Sequence, residues 1–448
     1  MTKSRFDGVA LLLLGAAIFL LVGLALKQVS PISMGDFKVV YYSARCLLKN
    51  GDPYLERDVL RVYQDEGREL PSESVLNRQV MTRYFYPPAA FVFTAPFAFL
   101  GFGPGQLLWM VLSAGGLTLA AILMFDLAAD FAPVISGALL GFLLMNSLWL
   151  FMIGNSAAIV VSFCSIAVWC FLKERFVSAG VLCLALSLAV KPHDSGLVWL
   201  FFLLAGGAFR KRALQTLLVF AVLCLPAVLW VTHVSPHWMQ EAHSNMLTFS
   251  GVSGLTDPAA TGMAGRYLDS FVQLQSAVSI LWANPRVYNS ITYVICGVML
   301  LIWAIATVRL RPIQARSWLA LAAITPLSML PIYHLQHDAK LLILTVPACA
   351  LLWSEGGIIG WMAVIITAAG IAVNGDIFST IRIALTHQFL VPQPNLPSEI
   401  LTMVLTRPGP LFLLLMAIFY LWVYLRHPRQ SVVAATRPVT ERVASNAR

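Results

Sequence analysis

The chain has 448 residues, 59% of them hydrophobic and 11% charged, with a formal net charge of +9. Soluble globular proteins carry about 25% charged residues, so this composition excludes a chain whose main solvent is water. The basic excess is divided among short connections between apolar runs, which argues against a nucleic-acid-binding face, and no nucleic acid partner is expected.

Residues 8–27, GVALLLLGAAIFLLVGLALK, form an apolar run long enough to cross a bilayer core of about 30 Å. A signal peptide has a shorter core and a small-residue cleavage site, so this run reads as a retained first span. Further apolar runs follow at 88–101, 105–127, 133–152, 155–172, 177–190, 194–208, 213–233, 289–308, 317–333, 339–353, 357–374 and 408–426. Lys and Arg in short loops mark the cytoplasmic side. That rule assigns Lys3, Arg5, Lys173, Arg175, Arg210, Lys211, Arg212, Arg309, Arg311, Arg316 and the tail from Arg426 to the cytoplasm. The three long hydrophilic segments, 28–87, 234–288 and 375–405, then lie on the exoplasmic face. The first of them fits, since its eight basic and eight acidic residues show no bias of sign.

Both termini are cytoplasmic only if the number of crossings is even, so one run between 88 and 152 is expected to be re-entrant or broken. The run 88–101 is short and holds Pro96, and the run 133–152 is interrupted by Asn146. Irregular backbone at membrane depth is tolerated only beside protein or a wet cavity, so this region is expected to wall a site. The predicted fold class is an all-α polytopic integral membrane protein: a bundle of about twelve transmembrane helices with exoplasmic interfacial helices in the first long loop. Residues 1–427 form one membrane-embedded domain, and 428–448 form a basic cytoplasmic tail predicted to be disordered. Six of the seven cysteines sit inside apolar runs as small hydrophobes, and Cys46 has no partner for a disulfide or metal site.

Four polar constellations fall on the exoplasmic side. In MGDFKVVYYSARCLLKNGDPY (34–54), Phe37, Val40, Tyr41, Ala44 and Leu48 recur at three- and four-residue steps, the pattern of an amphipathic helix lying on a membrane surface. Gly51-Asp52-Pro53 ends it, and Asp36 opens it either as a helix cap or as a general base at the membrane edge. Tyr84-Phe85-Tyr86-Pro87-Pro88 enters the next run, with aromatics suited to an interface or to a wall for sugar or lipid. Lys191-Pro192-His193-Asp194 places a cation against the positive-inside trend, for an anionic phosphate or as a snorkelling lysine. Tyr333-His334-Leu335-Gln336-His337-Asp338-Ala339-Lys340 packs two histidines, an acid and a lysine between apolar runs, expensive at a membrane edge unless used. The histidine spacing is a weak metal signal beside recognised zinc motifs, so hydrogen-bonding and phosphate-charge roles are expected. Asn155, in Ile153-Gly154-Asn155-Ser156, is a further polar candidate. No phosphate-cradling glycine loop occurs, so an activated group donor would be carried by a lipid rather than by a nucleotide.

The order Asp36-Phe37 with following tyrosines, then Gly51-Asp52-Pro53-Tyr54, then Tyr86-Pro87-Pro88, resembles the GT-C glycosyltransferases and, more narrowly, their family 87. Gly154-Asn155-Ser156, Ala179-Gly180 and Lys191-Pro192 fall in the expected order, so the resemblance covers most of residues 8–353. It departs where the family often has Gly-Gln-x-Asn, and in lacking a second proline near Lys191-Pro192-His193. That family includes polyprenyl-phosphate-mannose-dependent α-1,2-mannosyltransferases of phosphatidylinositol mannoside synthesis. The resemblance implies transfer of a hexose from a polyprenyl-phosphate sugar donor to a glycolipid or glycan acceptor, with inversion and Asp36 as catalytic base. Lys191, His334 and His337 are the expected donor-phosphate groups; Tyr41, Tyr86, Asn155, His193 and Asp338 are expected to line the substrate. A monophosphate carrier can leave without a divalent metal, so no metal or other cofactor is expected. The expected setting is a bacterial inner or plasma membrane, with the site facing the periplasm or exterior. The alternative is a transporter or flippase; transporters usually place polar groups at the midplane on broken helices, with inverted repeats, and no repeat relates the two halves.

Overall fold

The computed structural model describes residues 2–30, 33–66, 83–250, 256–259, 270–310, 314–389 and 396–427. Within them the chain is helical, with an isolated bridge between Phe271 and Leu335. A long α1 (Lys3–Val29) is followed by α2 (Gly35–Leu48) and α3 (Glu56–Asp65). A 3-10 turn (Pro88–Ala90) then leads into α4 (Phe91–Phe99), α5 (Phe102–Ala128), α6 (Pro133–Met145) and α7 (Leu148–Ile153). The middle of the chain gives α8 (Ala157–Lys173), α9 (Val177–Val190), α10 (Pro192–Ala205), α11 (Gly207–Val234) and α12 (Trp238–Ser250). After these come α13 (Leu274–Leu281), α14 (Pro285–Leu310) and α15 (Gln314–Ser328). A 3-10 segment (Asp338–Thr345) precedes α16 (Val346–Glu355), and α17 (Gly357–Val373), α18 (Asp376–Phe389), α19 (Leu396–Thr406) and α20 (Pro408–Arg426) close the order. The predicted tail 428–448 lies outside the described residues, as do parts of the three long loops.

Among the described residues, five helices, α1, α5, α11, α14 and α20, are long and apolar enough to cross a membrane, and α17 with the start of α18, bent by 63°, makes a sixth candidate. The protein is therefore an all-α polytopic membrane protein. The expected count of about twelve took one run between 88 and 152 as re-entrant or broken and the other apolar runs as crossings, and these six candidates neither reach nor overturn it. The fourteen residues of α9, however, reach only about 21 Å at 1.5 Å per residue.

Between 88 and 152 the chain is irregular in both suspected places. Pro96 sits inside the nine-residue α4, and Asn146 and Ser147 separate α6 from α7. A further expected span, 339–353, opens as a 3-10 segment instead, because Pro347 in the first turn of α16 has no N–H to carry an α-helix across the junction.

α1 lies along α6 at backbone contact. A Cβ on Gly15 would stand 2.3 Å from the carbonyl oxygen of Gly141, and small residues of this kind let membrane helices approach closely. α2 is covered largely by protein: ten of its fourteen residues are buried. Its aromatic face meets α5, with Phe37 on Trp109 at 5.2 Å and Tyr41 on Phe102 at 5.3 Å, and Arg45 Nη1 donates to Ala98 O at 2.8 Å, so α4 and α5 together hold the helix. Asp36 is not its cap. The N-cap is Met34, in the left-handed region at φ 58° and with no side-chain cap bond.

Polar groups collect at two separate levels. Arg5 pairs with Asp130 at 3.5 Å, Lys173 with Asp126 at 2.9 Å and Arg212 with Glu174 at 3.1 Å. All three pairs gather at the Lys173 end of α8. Asn155 precedes the opposite end of that helix, about 25 Å away at 1.5 Å per residue, and Lys191 follows the corresponding end of α9.

Candidate active site

The site is assembled from places where helices break. Between α7 and α8, Gly154 takes the left-handed conformation at φ +68°, where a Cβ would stand 2.9 Å from Met34 Cε and 3.0 Å from Phe37 Cβ. Only glycine combines that dihedral with that approach. The turn is pinned to its neighbours: Trp109 Nε1 donates to Gly154 O at 2.9 Å, and Met34 N donates to Met152 O at 2.9 Å. The start of α2 and the α7–α8 turn are thereby pressed together, and Asn155 meets Asp36.

Asn155 joins the groups of the site. Its Nδ2 donates to Asp36 Oδ2 at 2.5 Å and lies 3.1 Å from His337 Nε2. Its Oδ1 accepts from Ala157 N at 2.8 Å and from Lys191 Nζ at 3.2 Å. Asp36 is half-buried, while Asn155, Lys191, His337 and Asp338 are buried behind it. Burial pushes the His337 ring below its ordinary pKa, so its Nε2 serves as an acceptor for the second amide hydrogen of Asn155.

Lys191 occupies the junction of α9 and α10. The residue before a proline is driven out of the α region, and Lys191 sits at φ −139°, ψ 84° with Pro192 as the first helical residue of α10. Its Nζ reaches Asp338 Oδ1 at 2.7 Å. Asp338 Oδ2 accepts from Leu335 N at 2.9 Å, which closes the 335–338 turn. Burial alone would push the Asp338 carboxyl up, but the adjacent Lys191 ammonium holds it well below the usual carboxylate range. Burial likewise works against the charge on Lys191, and Asp338 more than offsets it, so the amine is pushed up. The segment carrying these groups is tied down by Val272 N to His334 O at 3.2 Å and Gln336 N to Ser270 O at 2.8 Å.

Tyr86 enters from the chain leading to α4. Its hydroxyl stands 3.2 Å from Ser156 Oγ, and its carbonyl accepts from Tyr54 OH at 2.8 Å. Asp36, Lys191 and Asp338 are all within electrostatic reach of its phenol. Asp36, Tyr86, Asn155, Lys191, His337 and Asp338 thus form one connected group, open on the side of Asp36 and Tyr86.

Three expected residues lie elsewhere. Tyr41 is not brought to the site: it is 1% exposed, its hydroxyl donates to Leu100 O at 2.9 Å, and its ring belongs to the aromatic core. His193 and His334 form a separate cluster around Asp194, with ring centroids 4.9 Å apart and His334 fully enclosed. Asp194 stands in the Lys191–Asp194 constellation but has no role of its own in the sequence, where it reads as an ordinary acid in the first turn of a helix. Missed in the sequence was a support behind the site, where Lys340 Nζ bonds Asn146 O and lies 3.3 Å from both Asn374 O and Asp376 Oδ1. Asp376 Oδ2 in turn accepts from Trp149 N at 2.7 Å, so this network holds the α6–α7 break in place.

A half-exposed carboxylate backed by an amide, an ammonium and a histidine can accept a proton from a hydroxyl at its open face, with cationic and hydrogen-bonding groups beside it. A family model, glycosyltransferase family 87, matches residues 84–331, more than half of the chain. The matched region includes Tyr86, Asn155, Lys191, His193 and Asp194; Asp36 precedes it and His334–Asp338 follow it. No curated protein and no solved structure matches the chain.

Proposed function

The chain belongs to glycosyltransferase family 87, and from that membership we propose that it transfers a hexose, mannose or a close relative, from a polyprenyl-phosphate carrier to a hydroxyl of a glycolipid or glycan acceptor. The observation that carries the reading is the Asp36 carboxylate, half-exposed and fixed by Asn155 at 2.5 Å, with Lys191 and His337 on the same amide. In the proposed step Asp36 takes the acceptor proton while the acceptor oxygen forms a bond to the anomeric carbon. The bond from that carbon to the phosphate oxygen breaks with its electron pair, polyprenyl phosphate departs from the opposite face, and configuration inverts. Charge grows on the departing phosphate, and the Lys191 ammonium would stabilise it there as a preorganised donor, helped by the remaining ring N–H of the neutral His337. Tyr86 would wall the sugar. The site would face the periplasm or exterior of a bacterial inner or plasma membrane, where a lipid-linked donor is available and nucleotides are not. Neither the family nor the fold favours transport.

The test is Asp36→Asn in the purified chain, assayed with polyprenyl-phosphate sugars and glycolipid acceptors. Loss of a positioned general base lowers turnover by about 10²- to 10⁴-fold. Full turnover by a stably folded Asp36→Asn variant would remove Asp36 from the role.

A further inference from the structure

Beside the transfer site, His193 Nε2 and His334 Nε2 converge on one oxygen, Asp194 Oδ1, at 3.5 Å and 3.1 Å. One ligand atom from each residue lies within 4.8 Å of the others. Asp194 and His334 are 1% and 0% exposed, and both Asp194 oxygens and His334 Nε2 lack a hydrogen-bond partner. Buried polar atoms are rarely left in that state, and each such case calls for an explanation.

The orientation of the His334 ring narrows the explanations. Its Nδ1 lies 3.1 Å from Ile332 O, which places the ring hydrogen on Nδ1 and leaves the Nε2 lone pair facing the carboxylate. A lone pair and a carboxylate oxygen at 3.1 Å repel unless a cation stands between them. A proton on Nε2 is one such cation: burial disfavours it, and Asp194 more than offsets the burial. The contact nevertheless lacks the alignment of a directed hydrogen bond, which a metal ion bonded to both atoms does not need. A backbone carbonyl that fixes the remote nitrogen is also the usual second partner of a metal-bound histidine.

We propose that His193 Nε2, the Asp194 carboxylate and His334 Nε2 bind one divalent transition-metal ion of the zinc type. Bond lengths of about 2.0–2.1 Å to nitrogen and oxygen in a tetrahedral site put the ligand atoms about 3.3–3.5 Å apart; the two contacts on Asp194, at 3.5 Å and 3.1 Å, are close to that spacing, and the two histidine nitrogens, within 4.8 Å of each other, would draw together on the ion. Two imidazoles and one carboxylate suit zinc rather than calcium or magnesium, which take oxygen ligands. The His193 side chain is one-third exposed (33%), so the cluster is reachable from outside and the fourth position is left to water, as in three-ligand zinc sites. The sequence gives no zinc spacing, because the ligands come from the first turn of α10 and from the distant 332–337 segment.

The ion would cross-link those two segments, which also carry Lys191 on one side and His337 and Asp338 on the other. It thereby positions transfer groups without touching the reacting atoms. It would also change the local charge. A divalent ion on Asp194 would add positive charge next to Lys191, which favours an anionic donor. That last point rests on the donor reading above; the metal site itself does not.

The test uses the full chain in detergent. The protein is stripped with a chelator, reloaded with Zn²⁺ or Co²⁺, and followed by elemental analysis, cobalt visible absorption and thermal melting. One ion per chain is expected, with the intense d–d bands of four-coordinate cobalt and a melting temperature that falls on stripping. Asp194→Asn and the milder, half-exposed His193→Ala are each expected to weaken binding by at least about 100-fold and to remove the cobalt bands. A folded chain that binds no stoichiometric metal and melts identically with and without chelator overturns the site in favour of a proton-bridged His334–Asp194 pair. Cobalt bands that persist unchanged in both variants place the ion elsewhere and also overturn it. Since no readout depends on glycosyl transfer, failure here is separable from failure of the transferase reading.

Discussion

Lys191→Met isolates the buried ion pair beside the proposed base. In the parent, Lys191 Nζ and Asp338 Oδ1 are 2.7 Å apart, and the two side chains are 7% and 4% exposed. Removing one partner of such a pair costs about 3–5 kcal/mol, because the other charge is left buried and unmatched. The dependence on pH should reverse as well. The parent Asp338 carboxyl titrates below its unfolded value of about 3.9, since Lys191 outweighs burial. Its contribution is therefore complete above that value and is lost as pH falls through the lower folded one. Lys191 is shifted upward, so its contribution is complete below about pH 10.4 and is lost only at higher pH. In Lys191→Met the strongest opposition to burial is gone, leaving only the neighbouring histidines and the Leu335 amide against it, and Asp338 is expected to rise above its unfolded value. The carboxyl then stabilises the fold when protonated and destabilises it as pH rises. Tryptophan-monitored melting in detergent, from about pH 5 to about pH 8, should show the variant well below the parent at neutral pH and recovering on acidification. Lys191→Met/Asp338→Leu should regain most of the loss. A single variant that melts like the parent at neutral pH, or a double variant no better than the single, refutes the pair as a stabilising unit.

Two further substitutions probe what positions the site. Gly154→Val forces a β-branched side chain into a left-handed conformation and onto Met34 and Phe37. The dihedral alone costs about 1–2 kcal/mol; a lower melting temperature and at least tenfold slower transfer are expected, and parental values for both would show that the turn tolerates the displacement. Lys340→Met leaves Asp376, 2% exposed, without its ammonium and strips a donor from the carbonyls of Asn146 and Asn374. It should destabilise by about 3–5 kcal/mol, read by melting, and an unchanged transition would mean that the network is not structural.

The membrane class and most helices could be read in the sequence because apolar runs and prolines act locally. Lys191-Pro192 ends one helix and begins the next by sterics alone, and Asn146 marked a break that the fold contains. The crossing count was less accessible, since a fourteen-residue apolar helix and a full span share one composition. The protein partners of α2 were hidden for a related reason: its apolar stripe is equally suited to lipid and to the Phe102–Trp109 face of α5, and nothing in the stripe itself distinguishes them. In the site, Asp36, Asn155, Lys191, His337 and Asp338 were each suspected as costly polar residues, and the structure brings them together. Asp194 and the Lys340–Asp376 link were given no role in it, because their meaning lies in partners far away in the chain.

The same comparison explains why the polar groups stand where they do. Asp36 follows the end of α1, Asn155 fills the gap between α7 and α8, Lys191 fills that between α9 and α10, and His337 precedes a 3-10 segment that Asp338 opens. A helix that stops inside a protein strands backbone donors and acceptors that lipid cannot satisfy. Side chains must supply the missing partners: Asn155 Oδ1 takes Ala157 N, Asp338 Oδ2 takes Leu335 N, and Lys340 takes the carbonyl of Asn146. Asn155 and Asp338 retain a second polar atom, and those second atoms make the contacts to Asp36 and Lys191. Helix termination and the candidate chemistry are thus two uses of one set of side chains. Substitutions at Asn155 or Asp338 should therefore lower stability and transfer together, whereas Asp36, whose side chain caps no helix, is where activity can be lost with the fold intact.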